Sequence, residues 1–343
     1  MKKYKVLYLI NYAPNYRDKF LTELGKLVDL TVTSYKGDEA NLKDPEVRIG
    51  YKYIPLKRIK FLGINFNTKE FTLANHDYDV VIVGYTLWNP FRMINLFRKK
   101  KRVICEGLIY GKNNDFVTKI LRKIFINASE GVLVYSEMVK KKLIQETSKP
   151  IIVFNNTSYS KKEINPISLS PVNDKLNVIW VGRYQERKKI ERLYVLAKED
   201  SRINVRLIGP GIKEAFQNFE PLTNLEIFDA AYEQELYEHF RWSHVVFNPG
   251  GAGLLVMNAG RFQRAIVIDI ASHHGPEIQL AIDAEQDFID FSDKTIVNNY
   301  IDNLFRNPIK LEDDAKRLCK QMHNYTVEYM AQQYYEGIKG NWK

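Results

Sequence analysis

The chain has 343 residues, 45% of them hydrophobic, which is enough for two packed cores rather than one. Its 51 basic and 41 acidic side chains leave a net charge of +10, which admits nucleic acid, anionic lipid or an anionic substrate as partner. Zinc-finger spacings and aromatic RNA-binding signatures are missing, which sets nucleic acid aside; no run approaches the roughly 20 apolar residues of a membrane span.

Met1–Lys5 feeds directly into a short apolar strand, Val6–Ile10, without a small-residue cleavage site. It is not read as a signal peptide, and a cytoplasmic location is expected. Two cysteines, Cys105 and Cys319, fit a reducing compartment and have no metal or redox spacing. Asn11–Arg17 is the loop after the first strand. Asp18 is placed to cap a helix over Lys19–Leu27, and Leu30–Thr33 is the next strand. This strand-helix-strand opening predicts a parallel sheet, in which ligands lie beyond the carboxyl ends of the strands. Asn15, Tyr16 and Arg17 are therefore candidates to face a cleft. The plainer alternative is a loop with a surface arginine, and no G-x-G-x-x-G dinucleotide fingerprint is present.

Arg48–Leu56 is strand-like, and Lys57–Phe66 alternates basic and apolar residues without a helical stripe. Asp79–Gly84 is a buried strand. Pro90–Lys101 reads as a helix ending in the basic run Arg98–Arg102, which complements the helix dipole or meets anionic lipid headgroups. Val103–Glu106 is a strand that leaves Glu106 as a cleft-edge carboxylate. Phe116–Phe125 and Glu137–Ile144 are helices, and Val132–Tyr135 and Ile151–Phe154 are strands. Asn155–Asp174, rich in Asn, Ser, Pro and Lys, reads as a linker.

The alternation then resumes. Strands are expected at Val178–Val181, Val205–Ile208, Leu225–Phe228, Val245–Phe247, Ile266–Ile270 and Phe288–Phe291. Helices follow them, the last over Val327–Lys339. Two stretches carry chemistry. The first strand ends in Gly182-Arg183, with Lys188 five residues past the arginine. The fourth runs into Asn248-Pro249-Gly250-Gly251-Ala252-Gly253-Leu254, where a glycine turn opens a helix. Such a turn offers backbone N–H groups to a phosphate or hydroxyl. Cations at a helix entrance oppose its dipole, so Arg183 and Lys188 point to an anionic ligand.

These motifs, in this order, resemble the donor site of retaining GT-B glycosyltransferases, glycosyltransferase family 4 in particular. The resemblance covers most of Leu176–Phe291. It implies an α/β protein of two Rossmann-like domains whose parallel sheets face a central cleft. The domains are expected at residues 1–155 for the acceptor and 175–324 for the nucleotide sugar. Residues 156–174 form the linker, and a C-terminal helix, 325–343, crosses back to the first domain. The resemblance further implies donor contacts at Gly182, Gly209, Gly211, Gly250, Gly251, Ala252, Gly253, Leu254 and Asn258. Arg183 and Lys188 are implied to neutralise the leaving diphosphate.

The family usually carries two glutamates around the Gly-Leu step. Gly250 and Asn258 stand there instead, which marks a divergent subgroup in which Glu277, in His274-Gly275-Pro276-Glu277, is the candidate to supply the missing carboxylate. The plainer alternative for Glu277 is an ordinary acid at a helix N-terminus. Glu106 is a further candidate acid–base group. Asp77-Tyr78-Asp79 matches the D-x-D motif of another glycosyltransferase fold, but it precedes a strand and is read as chance. No metal or cofactor is expected beyond the UDP- or GDP-sugar substrate.

The expected activity is hexosyl transfer to a glycan or lipid-linked glycan in cell-surface polysaccharide assembly, peripheral on an anionic membrane face. Alternatives on this scaffold are a nucleotide-sugar epimerase or hydrolase, and a degenerate glycosyltransferase that acts as a binding partner.

Overall fold

The computed structural model describes residues 3–40, 42–65, 67–111 and 115–342. Met1, Lys2 and Phe66, which figure in the readings above, lie outside the described residues. The chain forms two compact units, one of Met1–Ser160 with Thr326–Lys343 and one of Lys161–Tyr325.

In chain order, the first unit opens with β1 (Lys5–Tyr12), α1 (Asn15–Leu27), β2 (Asp29–Tyr35) and β3 (Lys52–Leu56). A short hairpin of β4 (Lys60–Phe61) and β5 (Ile64–Asn65) follows, then α2 (Thr68–Leu73) and β6 (Val80–Gly84). The unit continues with α3 (Pro90–Met93), β7 (Arg102–Gly107), α4 (Phe116–Ala128), β8 (Gly131–Val134), α5 (Glu137–Leu143) and β9 (Ile151–Val153). Apart from the hairpin, the strands form one parallel sheet of seven in the order β3-β2-β1-β6-β7-β8-β9. Runs such as Val80–Val83 are buried throughout, as parallel strands covered on both faces must be.

Three local readings change. Helix α1 starts at Asn15, so Asn15, Tyr16 and Arg17 form its first turn rather than a loop. Asp18 does not cap it; its carboxylate accepts from the Tyr51 hydroxyl at 2.5 Å. The helix expected over Pro90–Lys101 has only Pro90–Met93 in α conformation, followed by a 3-10 turn at Ile94–Phe97. Asn95 explains the change: its amide donates to the Phe91 and Arg92 carbonyls and competes with the helical ladder.

The second unit contains β10 (Leu176–Val181), α6 (Glu191–Glu199), β11 (Ile203–Ile208), α7 (Ile212–Ala215), β12 (Leu225–Phe228) and α8 (Glu233–Trp242). After these come β13 (Val245–Asn248), α9 (Leu255–Arg261), β14 (Ala265–Asp269), α10 (Ile278–Asp283), β15 (Phe288–Ile289), α11 (Lys294–Arg306) and α12 (Ile309–Met322). Its six strands are parallel, in the order β12-β11-β10-β13-β14-β15. Residues 161–325 belong to this unit, so most of the expected linker packs within it. Buried Arg264 anchors the linker by donating to the Ile167 carbonyl at 2.6 Å, and Ile167 N–H bonds the Phe262 carbonyl. Burial lowers the Arg264 guanidinium to about 10.

Helix α13 (Val327–Lys339) is built into the first unit. Its Met330, Tyr334 and Ile338 join Phe20, Leu24 and Phe154 in one buried cluster. Among the described residues, no helix is long and apolar enough to cross a membrane.

Candidate functional site

Both sheets reverse their strand order beside their first strand, between β1 and β6 and between β10 and β13. Ligands of open parallel sheets bind where the order reverses, beyond the carboxyl ends. In the second unit, the segments that leave this point are Gly182–Lys188 after β10 and Pro249–Gly253 after β13. These are the two motif stretches.

The segments are locked together through backbone carbonyls, which accept one backbone and two side-chain donors. Gly251 N–H donates to the Arg187 carbonyl at 3.0 Å, and Arg192 donates to the Pro249 carbonyl at 3.0 Å. The Lys188 ammonium donates to the Gly251 carbonyl at 2.5 Å. A Cβ on Gly250 would lie 2.3 Å from the Lys188 carbonyl oxygen, so this position has no room for any side chain. Gly209 is equally constrained: its φ is +143°, and a Cβ would fall 1.9 Å from the Gly182 carbonyl oxygen. Gly211 begins α7 beside Tyr184, whose N–H bonds the Pro210 carbonyl. Leu254 is exposed at the start of α9, and Asn258 is buried one turn on.

The charges differ in how free they are. Arg183 is exposed, and its side chain makes no hydrogen bond or ion pair among the described residues. Lys188 is held, and burial lowers its ammonium to about 8, reinforced by Arg187 and opposed by Glu277. Burial raises the Glu277 carboxyl above its ordinary range, opposed by the charges of Lys188 and Arg187. The Ala252 N–H donates to His274 Nδ1 at 3.1 Å, and burial lowers the His274 pKa. Neutral His274 therefore carries its proton on Nε2. The structure thus brings Lys188, Gly250, Gly251, Ala252 and Gly253 together, with Glu277 within electrostatic reach of Lys188.

Two supports escaped the sequence reading. Asp269, fully buried at the end of β14, accepts from Ser272 and the Phe291 N–H. It also pairs with Arg192 at 3.3 Å and Lys189 at 3.7 Å, which braces the turn after Lys188. Asn248, fully buried, donates to the Gly250 carbonyl at 2.7 Å, while its Oδ1 has no partner among the described residues. The only signal for either was a polar residue at the end of an apolar run. Among the described residues no three His, Cys, Asp or Glu side chains group to hold a metal.

In the first unit, Glu106 is not an open carboxylate. It is 3% exposed, pairs with Arg17 at 3.2 Å and accepts from the Tyr334 hydroxyl at 3.0 Å. Arg17 also donates to Tyr135 at 2.9 Å and Tyr8 at 3.3 Å. Burial keeps Tyr8 and Tyr334 as neutral phenols. This network ties α1, β7 and α13 together, so Glu106 and Arg17, expected as an acid–base group and a cleft contact, are engaged with each other and with three tyrosines. Asn15 and Tyr16 remain exposed.

The first unit also holds a pocket of about 760 Å³ beyond β6 and β7. Its wall is mostly apolar, with Ile64, Leu87, Trp88, Leu108 and Leu121 facing Arg122.

No family model matches the chain, and no curated protein sequence matches it. Solved structures do resemble it. Sucrose-phosphate synthase from Thermosynechococcus elongatus is 13% identical, with a TM-score of 0.69 over 98% of this chain and 99% of that one. Anabaena HepE, solved with UDP-glucose, is 12% identical, with a TM-score of 0.64 over 98% and 100%. The UDP-GlcNAc 2-epimerase of Neisseria meningitidis, solved with UDP-GlcNAc, is 14% identical, with a TM-score of 0.62 over 98% and 100%. The likeness is one of fold: two Rossmann-like units, the GT-B class.

Proposed function

We propose that the protein is a glycosyltransferase that takes a hexosyl group from a UDP- or GDP-sugar and passes it to a glycan or lipid-linked glycan. The observation that carries this reading is the junction of Lys188 with the Gly250–Gly253 turn at the strand-order reversal, beside the unpaired Arg183. The GT-B fold, shared with structures solved with UDP-glucose and UDP-GlcNAc, supports it.

In this reading the diphosphate rests against the turn, and Arg183 and Lys188 carry the charge that grows as the sugar–phosphate bond breaks. Fixed cations and backbone dipoles aimed at such charge are worth a few kcal/mol each, about 2.7–4 for a single donor. Glu277 orients donor-sugar hydroxyls, and Asn258 bonds the ribose. The acceptor hydroxyl bonds to the anomeric carbon on the face from which the diphosphate departs, so configuration is retained, and the departing phosphate takes the hydroxyl proton in place of a separate base, without a metal. The first unit's apolar pocket takes the acceptor's aglycone. The setting is cytoplasmic polysaccharide assembly at a membrane surface.

The test is a thermal-shift panel of UDP, GDP, CMP and their sugars on wild type and Arg183→Ala, followed by donor-consumption assays with and without acceptors. One nucleotide series should stabilise wild type, by about 2.7 kcal/mol at ~100 times its dissociation constant, and lose this in Arg183→Ala. Donor breakdown that ignores acceptor would replace transfer with epimerase or hydrolase chemistry. Binding without turnover across acceptors would leave a degenerate transferase. No response to any nucleotide would remove the donor site.

A further inference from the structure

Helix α4 is amphipathic in an unusual sense: its apolar stripe faces solvent. Phe116 is 77% exposed, Val117 62%, Ile120 43% and Ile124 47%. Residues four apart lie above one another on a helix, so Phe116, Ile120 and Ile124 form one line. Lys119 and Lys123, both exposed, run beside it at the same spacing. Asp115 caps the helix by accepting from the Thr118 N–H, so the stripe sits on an ordered scaffold.

The neighbouring elements repeat the pattern. Phe97 packs edge-on against Phe125 of α4, with ring centroids 5.8 Å apart, and is itself 49% exposed. The basic run Arg98–Lys101 follows it and, with Lys149, lines a hollow that reaches Ala128 at the end of α4. The acidic groups close by are engaged: Glu130 with Arg102 and Trp342, and Glu146 with Arg122 and Tyr110. On the other side, the β4–β5 hairpin exposes Phe61 and Leu62, and its Ile64 shares the 760 Å³ pocket with Leu121 of α4.

An exposed apolar stripe flanked by unpaired lysines has the chemistry of a helix lying in the headgroup layer of an anionic bilayer. We propose that α4, with Phe97 and the Arg98–Lys101 run, docks the first unit on an anionic phospholipid surface. The apolar residues enter the acyl boundary and the lysines meet the phosphates. The basic run Arg98–Lys101 with Lys149, and exposed Phe97, extend the same apolar and basic chemistry beyond α4, which favours an extended anionic surface over a single protein groove. The assignment stands on the first unit alone and does not depend on sugar transfer.

The test is co-sedimentation with phosphatidylcholine vesicles and with the same vesicles carrying phosphatidylglycerol. Wild type, Ile120→Glu/Ile124→Glu and Lys119→Glu/Lys123→Glu are compared, with size-exclusion chromatography alongside. Wild type should bind only the anionic vesicles, and less at high salt. The isoleucine pair and the lysine pair should each weaken binding by roughly tenfold or more. All three proteins should keep the same melting temperature and nucleotide response, because every substituted side chain is exposed. Equal binding to both vesicle types, no binding to either, or unchanged binding by the variants would overturn the proposal. So would a wild-type dimer that the isoleucine substitutions dissociate, which would assign the stripe to a second copy.

Discussion

Lys188 and Gly251 meet at 2.5 Å, ammonium to carbonyl oxygen, across the point where the second sheet reverses its strand order. The lysine's pKa of about 8 is set first by burial. If its charge holds a diphosphate, nucleotide affinity is full below pH 8 and falls by about tenfold per pH unit above it. Lys188→Arg should flatten that profile, since the guanidinium stays charged. An unaltered profile in the arginine variant would assign the titration to another group. Stability carries the opposite sign. The folded value lies below the unfolded 10.5, so the unfolded chain binds more protons between these values. The ligand-free protein should therefore gain stability relative to Lys188→Met as pH rises through that window.

Gly250 and Gly253 stand in the same turn but in different space. A Cβ on Gly250 would strike the Lys188 backbone at 2.3 Å, whereas one on Gly253 would find only the Lys188 ammonium at 3.6 Å. Gly250→Ala should cost about 1–3 kcal/mol and abolish the nucleotide-induced shift. Gly253→Ala should fold like wild type. Equal melting temperatures for the two variants would contradict this geometry.

Glu106→Gln should strand the Arg17 charge in the first unit's interior and cost about 3–5 kcal/mol. The network lies in the unit that lacks the proposed donor turn. Nucleotide affinity at low temperature should therefore match wild type, and Arg17→Met in the same background should restore part of the lost stability. A catalytic Glu106 would instead lower turnover while leaving the melting temperature in place.

Leu121→Trp narrows the 760 Å³ pocket from the α4 side. It should raise the acceptor KM several-fold while donor Kd stays constant, as expected where an apolar aglycone loses room. A KM unchanged across acceptors with and without apolar tails would vacate the pocket's role.

The parallel sheets were legible because buried strands are continuous apolar runs. Val80–Gly84 and Leu225–Phe228 were placed to within a residue. Helix α2 was missed. It buries Glu70 against Arg92 at 2.5 Å, and a charged pair facing inward hides the apolar stripe that reveals a helix. The glycine turn showed in its composition. The partners of Glu106 did not, because Arg17 and Tyr334 lie 89 and 228 residues away along the chain. Periodicity reports which side of an element is buried and is silent on what meets it there. For the same reason α4 was read as a helix without any sign that its apolar line faces solvent.

The return of α13 into the first unit has a consequence for the order of synthesis. Residues 161–325 are contiguous and can pack as soon as they leave the ribosome. The cluster of Phe20, Leu24 and Phe154 waits for Met330, Tyr334 and Ile338, which are made last of all its members. The half translated first is thus the half completed last. Until then its core lacks one wall, and a stop codon at 326 would strand the older half while sparing the younger.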